Sequence, residues 1–118
     1  MVIAALRLFP PREQRREILN LLRTVQRSAK ALPRCLGCGL FEEDSHDEAV
    51  LYLEHWDGEP ELRRHIRSEL YGRILLAIER SRLSPEIKFH YVKETVGLEL
   101  LQEVRGKSPD TGRATTTA

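Results

Sequence analysis

The sequence predicts an α+β domain whose antiparallel sheet carries its helices on one face. Three observations lead there. Apolar segments of strand length and amphipathic segments of helical spacing follow one another in the order β-α-β-β-α-β. Breaker residues punctuate them, at Pro10-Pro11, Pro33, Asp57-Gly58-Glu59-Pro60 and Ser84-Pro85. The strands are apolar at both parities, as with Val50 and Tyr52 against Leu51 and Leu53, although helices can cover only one face of the sheet.

Residues 2–9 form an apolar run broken only by Arg7, the length of a strand buried on both faces. Pro10-Pro11 stops it and supplies a proline at the first helical position of the next element. Ile18, Leu21, Leu22, Val25, Ala29 and Leu32 then recur at helical spacing, opposite Arg15, Arg16, Glu17, Arg23 and Arg27, and the helix runs to about Ala31 before Pro33. Residues 35–43 and 49–56 read as two antiparallel strands joined through the polar loop Glu43-Asp44-Ser45-His46-Asp47. Asp57-Gly58-Glu59-Pro60 opens a short helix with Leu62, His65 and Ile66 on one stripe. Ser68 can cap a second segment, whose stripe is Leu70, Ile74, Leu75, Ile78 and Leu83. In residues 86–93, Ile87, Phe89 and Tyr91 alternate with Lys88 and His90 to give a fourth strand. Residues 96–105 fit a helix as well as a strand, and residues 107–118 are expected to be a disordered tail. One domain is therefore expected over 1–106, with 94–106 as a C-terminal extension.

Composition narrows the function classes. With 41% hydrophobic and 31% charged residues the chain is globular, and 19 Lys and Arg against 18 Asp and Glu give a net charge of +1, too little to gather nucleic acid or anionic lipid. No run approaches the roughly 18 apolar residues that span a bilayer, and residues 1–9 lack a basic leader and a small-residue cleavage site. The expected location is the cytoplasm, with no membrane or nucleic-acid partner. The apolar second sheet face calls for cover, because monomers rarely expose several hundred Å² of contiguous apolar surface. The expectation is a ferredoxin-like fold that pairs its sheet face with an identical subunit to form a dimeric α/β barrel, residues 96–105 latching onto the partner.

The end of the third strand carries Glu54-His55-Trp56, followed by a loop and a helix with His65 ahead of Ser68-Glu69-Leu70-Tyr71. Together with the proline-started first helix and Pro33-Arg34-Cys35-Leu36-Gly37-Cys38-Gly39-Leu40, this order resembles the antibiotic biosynthesis monooxygenase family of dimeric α/β barrels over residues 2–93. The resemblance implies oxidation of a quinol-like or polyketide aromatic by O₂, without metal or flavin, in a pocket between sheet and helices. A relative of the same fold degrades heme with an Asn, a Trp and a His. Trp56 and His65 match two of these, but Ala4 or Ala5 holds the place of the Asn, which argues against heme degradation.

On this reading His65 and Trp56 are the catalytic candidates. A neutral imidazole, with a reference pKa of about 6.5, can take a proton from a phenol and so ease its oxidation. The alternative is a hydrogen-bonded core or helix-surface histidine. Trp56 shares a strand face with Val50, Tyr52 and Glu54, and either walls a flat ligand or closes the end of the barrel. Glu54 would be costly to bury alone and invites a partner, Arg7 or a ligand hydroxyl, a structural ion pair being one outcome. Tyr71 can offer its hydroxyl to the pocket or simply pack. Tyr52, Glu54, Tyr71 and Arg7 are thus the candidate substrate contacts.

Other features are explained without chemistry. Cys35 and Cys38 form a C-x-x-C, but in a regular strand positions i and i+3 lie about 10 Å apart on opposite faces, beyond disulfide reach, and zinc would need two further ligands. Arg12, Arg15, Arg16, Arg23 and Arg27 are interleaved with Glu13 and Glu17 and form a solvated face. Lys88 and His90 suit a solvated or barrel-facing strand position, and His46 and His55 belong to no constellation. Two functions remain: a cofactor-independent monooxygenase using His65, or a non-catalytic dimeric barrel that binds a small hydrophobic molecule or serves as a stress-related module.

Overall fold

A computed structural model describes residues 1–106; the tail expected at 107–118 lies outside them. The chain forms β1 (Val2–Leu8), a 3₁₀ turn (Arg12–Gln14), α1 (Arg15–Lys30), β2 (Cys35–Glu42), β3 (Val50–Trp56), α2 (Glu59–Ile66), α3 (Glu69–Glu79), β4 (Glu86–Tyr91) and α4 (Leu98–Arg105). The sheet order is β2-β3-β1-β4 and every neighbouring pair is antiparallel. This is the β-α-β-β-α-β arrangement expected, with α1 and α3 packed together above one sheet face.

The core lies between those helices and the even-numbered residues of β1 and β3. Leu6, Leu8, Val50 and Tyr52 meet Ile18, Leu22 and Val25 of α1 and Ile74 of α3. Leu22 is fully buried, and burial of a leucine contributes roughly 1.5–3 kcal/mol. A second cluster, Val2, Trp56 and Leu62, closes the end of the sheet under α2. The two clusters meet at Glu54, one step along β3 from each of Tyr52 and Trp56 on the same face.

Helix boundaries follow local chemistry. Pro11 precedes the 3₁₀ turn as its cap, one step ahead of the first helical position expected for it. Pro60 occupies the second position of α2, where no backbone N–H is required. The Ser68 hydroxyl accepts from the Tyr71 N–H at 3.4 Å and starts α3. That helix stops at Glu79, so Leu83 falls outside it and Leu75 points outward; its buried stripe is Tyr71, Ile74 and Ala77.

Within the single chain β1 buries Val2, Leu6 and Leu8 toward the helices, while Ala4 on that side and Ile3, Ala5 and Arg7 on the other are half-buried. One expectation about the strands is corrected. β2 is not regular: the register shifts between Cys35 and Gly37, so Cys35 pairs with Trp56 and Cys38 with Glu54. The extra residue, Leu36, restores Cys35 to the helix-facing side, and the two sulfurs lie 3.5 Å apart where a regular strand would have pointed them to opposite faces. The open segment resolves as a helix: α4 exposes Leu98, Leu100, Leu101 and Val104. No helix of the described residues is long and apolar enough to cross a membrane.

Candidate functional site

Period-two alternation brings Tyr52, Glu54 and Trp56 to one face of β3, and helical spacing turns Leu62 and His65 of α2 toward them. Glu54 is 1% exposed and His65 3% exposed, so the interior holds a carboxylate and an imidazole side by side. Such groups are tolerated only when satisfied. Three side chains satisfy Glu54: the Tyr52 hydroxyl donates to Oε2 at 2.8 Å, Trp56 Nε1 donates to Oε1 at 3.1 Å, and His65 Nε2 lies 3.0 Å from Oε2. A carboxylate that accepts only, surrounded by donors, assigns the proton of His65 to Nε2.

That tautomer leaves the lone pair on Nδ1, which finds no hydrogen-bond partner among the described residues. The ring is held on two sides by aromatics. Trp56 lies at a centroid distance of 4.7 Å, tilted by 35°, and Tyr71 stands edge-on at 5.3 Å. Burial, then the charge of Glu54, pushes the Tyr52 phenol well above its ordinary range, and the same causes raise Tyr71. Both remain hydroxyls at neutral pH.

Five of the six candidate residues therefore meet: Tyr52, Glu54, Trp56, His65 and Tyr71. Arg7 does not. It pairs across β1–β3 with Leu51, on the sheet face away from Glu54, and forms ion pairs with Glu43 and Glu86. Its pKa is raised, chiefly by the hydrogen bond to Glu43. The partner expected of Arg7 for Glu54 is supplied instead by His65.

Two concave regions adjoin the cluster. On the α2 side, a groove of about 240 Å³ is lined by Leu32, Pro33, Trp56, Glu61, Arg64, His65 and Ser68. On the α3 side, a crevice of about 10 Å³ lies between Ala4, Leu6, Tyr52, Glu54, Tyr71 and Ile74, room for about one water. Ala4 pairs with Glu54 across the sheet, whereas Ala5 pairs with Leu53 on the other face, so Ala4 is the residue that places a methyl beside the carboxylate. A larger depression of about 280 Å³ between α2 and β4 is lined by the Glu59 and Arg63 ion pair with Phe89 and Tyr91, away from the Glu54 cluster. Among the described residues no group of three or more His, Cys, Asp or Glu converges as a metal-ligand set.

Glu61, Arg64 and Ser68 were not among the residues expected at the site. Their signal was in the sequence: positions 61, 64, 65 and 68 fall on one side of a helical turn, so whatever His65 faces they border. Arg34, at φ 72°, sits where β2 begins, and its guanidinium holds Asp57 at 2.7 Å while its carbonyl accepts from the Asp57 N–H at 2.9 Å. This clasp fixes the turn from Trp56 into α2, and with it the separation of Trp56 and His65.

The geometry can be set beside known proteins. The family model described as antibiotic biosynthesis monooxygenase matches residues 1–75. Among solved structures, one described as an antibiotic biosynthesis monooxygenase is 19% identical with a TM-score of 0.70, the alignment covering 80% of this chain and all of that one. A conserved protein of Methanosarcina mazei Go1 is 25% identical over 78% of this chain and 92% of its own, with a TM-score of 0.70. A Mycobacterium tuberculosis protein is 16% identical over 81% and 98%, with a TM-score of 0.72. No curated protein sequence matches. With the family match extending over residues 1–75 of 118, and relatives of that description sharing the whole β-α-β-β-α-β frame, the chain belongs to the antibiotic biosynthesis monooxygenase family.

Proposed function

We propose that the protein is a cofactor-independent monooxygenase that oxidises a small, electron-rich aromatic, quinol-like or polyketide-like, in the groove beside Trp56 and His65. The observation that carries this reading is the unpartnered Nδ1 of a buried histidine whose other nitrogen is fixed by Glu54. A ring oriented in this way is a general base in waiting. Nδ1 takes the phenolic proton, Glu54 stabilises the imidazolium that results, and the electron-rich phenolate reduces O₂. One oxygen atom enters the substrate and the other leaves as water with two substrate hydrogens, both from a methylene that becomes a carbonyl or, in a quinol, both from hydroxyl groups as the ring becomes a hydroxyquinone, and no external reductant is consumed. Trp56, Leu32 and Pro33 give the ring flat apolar contact, and Arg64 at the rim attracts a ring with anionic character. His65 is so deeply placed that the rim must open for the substrate oxygen to reach it.

A homodimer completes this reading. The outward sheet face exposes Phe41 and leaves Ile3, Leu51 and Leu53 half-buried, and the apolar residues of α4 are exposed; a second copy of the chain covers both. Sedimentation at micromolar concentration is expected to give twice the chain mass, and a single-chain mass would remove this part of the proposal.

The rival, a non-catalytic binding module, has its own support in the α3-side crevice, which Leu6, Tyr71 and Ile74 fill until only about 10 Å³ is left. Oxygen uptake by the metal-stripped protein with a panel of hydroquinols separates the two. Uptake above the autoxidation rate is expected, falling by about 10²–10⁴-fold in His65→Ala if the base is lost. No uptake by a correctly folded wild type across the panel would favour the binding module.

A further inference from the structure

The C-x-x-C of β2 has a geometry that its sequence conceals. In a regular strand Cys35 and Cys38 would face opposite ways, but the bulge at Leu36 turns both to the helix-facing side with their sulfurs 3.5 Å apart. That is van der Waals contact between two free thiols, and about 1.5 Å of closure separates it from a disulfide bond of about 2.05 Å. Both residues are half-buried on an edge strand, so a small reagent can reach them. The described residues offer no third ligand for a metal.

We propose that Cys35 and Cys38 are a redox-active dithiol that closes to an intrachain disulfide by exchange with a low-molecular-weight disulfide. The roles of the two sulfurs differ. Burial, then the neighbouring Cys35 and the charge of Glu54, pushes the Cys38 thiol up to about 12, so Cys38 keeps its proton at neutral pH. Cys35, the first residue of β2 and so at the open end of the strand, is the entering sulfur. Its thiolate, having given its proton to solvent, attacks one sulfur of the small disulfide and expels a thiolate. That thiolate takes the proton of Cys38, whose sulfur then attacks Cys35 and expels the second thiolate, which is protonated from solvent. The two cysteines lose two electrons and two protons, and the small disulfide becomes two thiols.

The exchange lies against the candidate site without depending on its chemistry. Cys35 is the cross-strand neighbour of Trp56 and packs on the cluster of Val2, Trp56 and Leu62, while Cys38 neighbours Glu54. Trp56 is the only tryptophan, so its emission reports on the pair.

The test is to equilibrate the full chain with oxidised and reduced glutathione under native conditions, reading free thiols, intact mass and Trp56 emission. Closure predicts the coordinated loss of both thiols, a monomer mass lower by two hydrogen atoms, a change in emission, and full reversal by dithiothreitol. Cys38→Ser should stop at a stable glutathione adduct on Cys35, and Cys35→Ser should gain none. Thiols inert in the folded chain, adducts on both cysteines without closure, or disulfide-linked dimers in place of the intrachain bond would each overturn the proposal. Oxygen uptake plays no part in these readouts, so failure here and failure of the monooxygenase reading are separately visible.

Discussion

Two polar clusters sit on opposite faces of the same pair of strands. On the helix-facing side, Glu54 of β3 is enclosed by Tyr52, Trp56 and His65 and is almost completely buried. On the outward side, Arg7 of β1 meets Glu43 at 2.9 Å and Glu86 at 3.0 Å, with side chains 29–50% exposed. Both look like ion-pair networks in a list of contacts. Water makes them different: the exposed cluster can trade each protein partner for solvent, whereas a buried group that loses its partner keeps the full desolvation cost. The buried cluster should therefore dominate both stability and chemistry.

The largest effect should come from Glu54→Leu, which leaves the Tyr52 hydroxyl, Trp56 Nε1 and His65 Nε2 buried without an acceptor. A loss of about 3–5 kcal/mol is expected from urea unfolding, and a loss below about 1 kcal/mol would mean that water already reaches these donors. Glu54→Gln keeps the shape and one acceptor but turns a donor toward donors, so about 1–3 kcal/mol is expected. Trp56→Phe is next. It removes one donor from a carboxylate that keeps two others and thins the groove wall, at about 1–2 kcal/mol by the same measurement.

Much of the buried cluster was legible in the sequence. Alternation along β3 put Tyr52, Glu54 and Trp56 on one face, and the spacing of Leu62 and His65 turned His65 inward, while Ile66, expected on the same stripe, is exposed. What was not legible was the other cluster's allegiance. β1 is apolar at both parities, so nothing in residues 2–9 says whether the face of Ile3, Ala5 and Arg7 or the face of Ala4, Leu6 and Leu8 turns toward the helices and Glu54, and only pairing to β3 decides it. The bulge in β2 was hidden for a related reason. One extra residue reverses parity, and with two glycines in the strand, Gly37 and Gly39, either of which suits a bulge, the sequence does not say where the insertion falls. Residues 96–105 stayed open because an amphipathic segment without a core contact is decided by its own backbone, here in favour of a helix ending at Gly106 in the left-handed region.

Alkaline pH sharpens the comparison. Tyr52 and Tyr71 are raised by burial and by the charge of Glu54, so above about pH 10 the unfolded chain ionises at these positions while the folded chain does not. Bound protons are then fewer in the unfolded state, and stability falls as pH rises, by up to about 1.4 kcal/mol per pH unit for each tyrosine. Tyr52→Phe should be less stable than wild type at neutral pH by about 1–3 kcal/mol and should lose less on going to pH 11. An unchanged alkaline slope would mean that Tyr52 does not hold its proton against Glu54.

The smallest effect should come from the outward cluster. Arg7→Met removes both ion pairs, yet Glu43 and Glu86 can return to water, so only a small fall in melting temperature is expected at low salt. At about 1 M salt, where screening acts within about 3 Å, the difference should vanish. The acid limb gives an independent reading. Arg7 holds the Glu43 carboxyl below its usual range, so this pair contributes stability above the unfolded carboxyl value near 4.5, and that contribution is lost as pH falls through the lower folded value. Arg7→Met should remove this acid dependence while leaving the alkaline limb of Tyr52 and Tyr71 intact. A large loss that survived high salt and grew on dilution would mean that a second copy of the chain covers Arg7, and the outward cluster would then follow the same rules as Glu54.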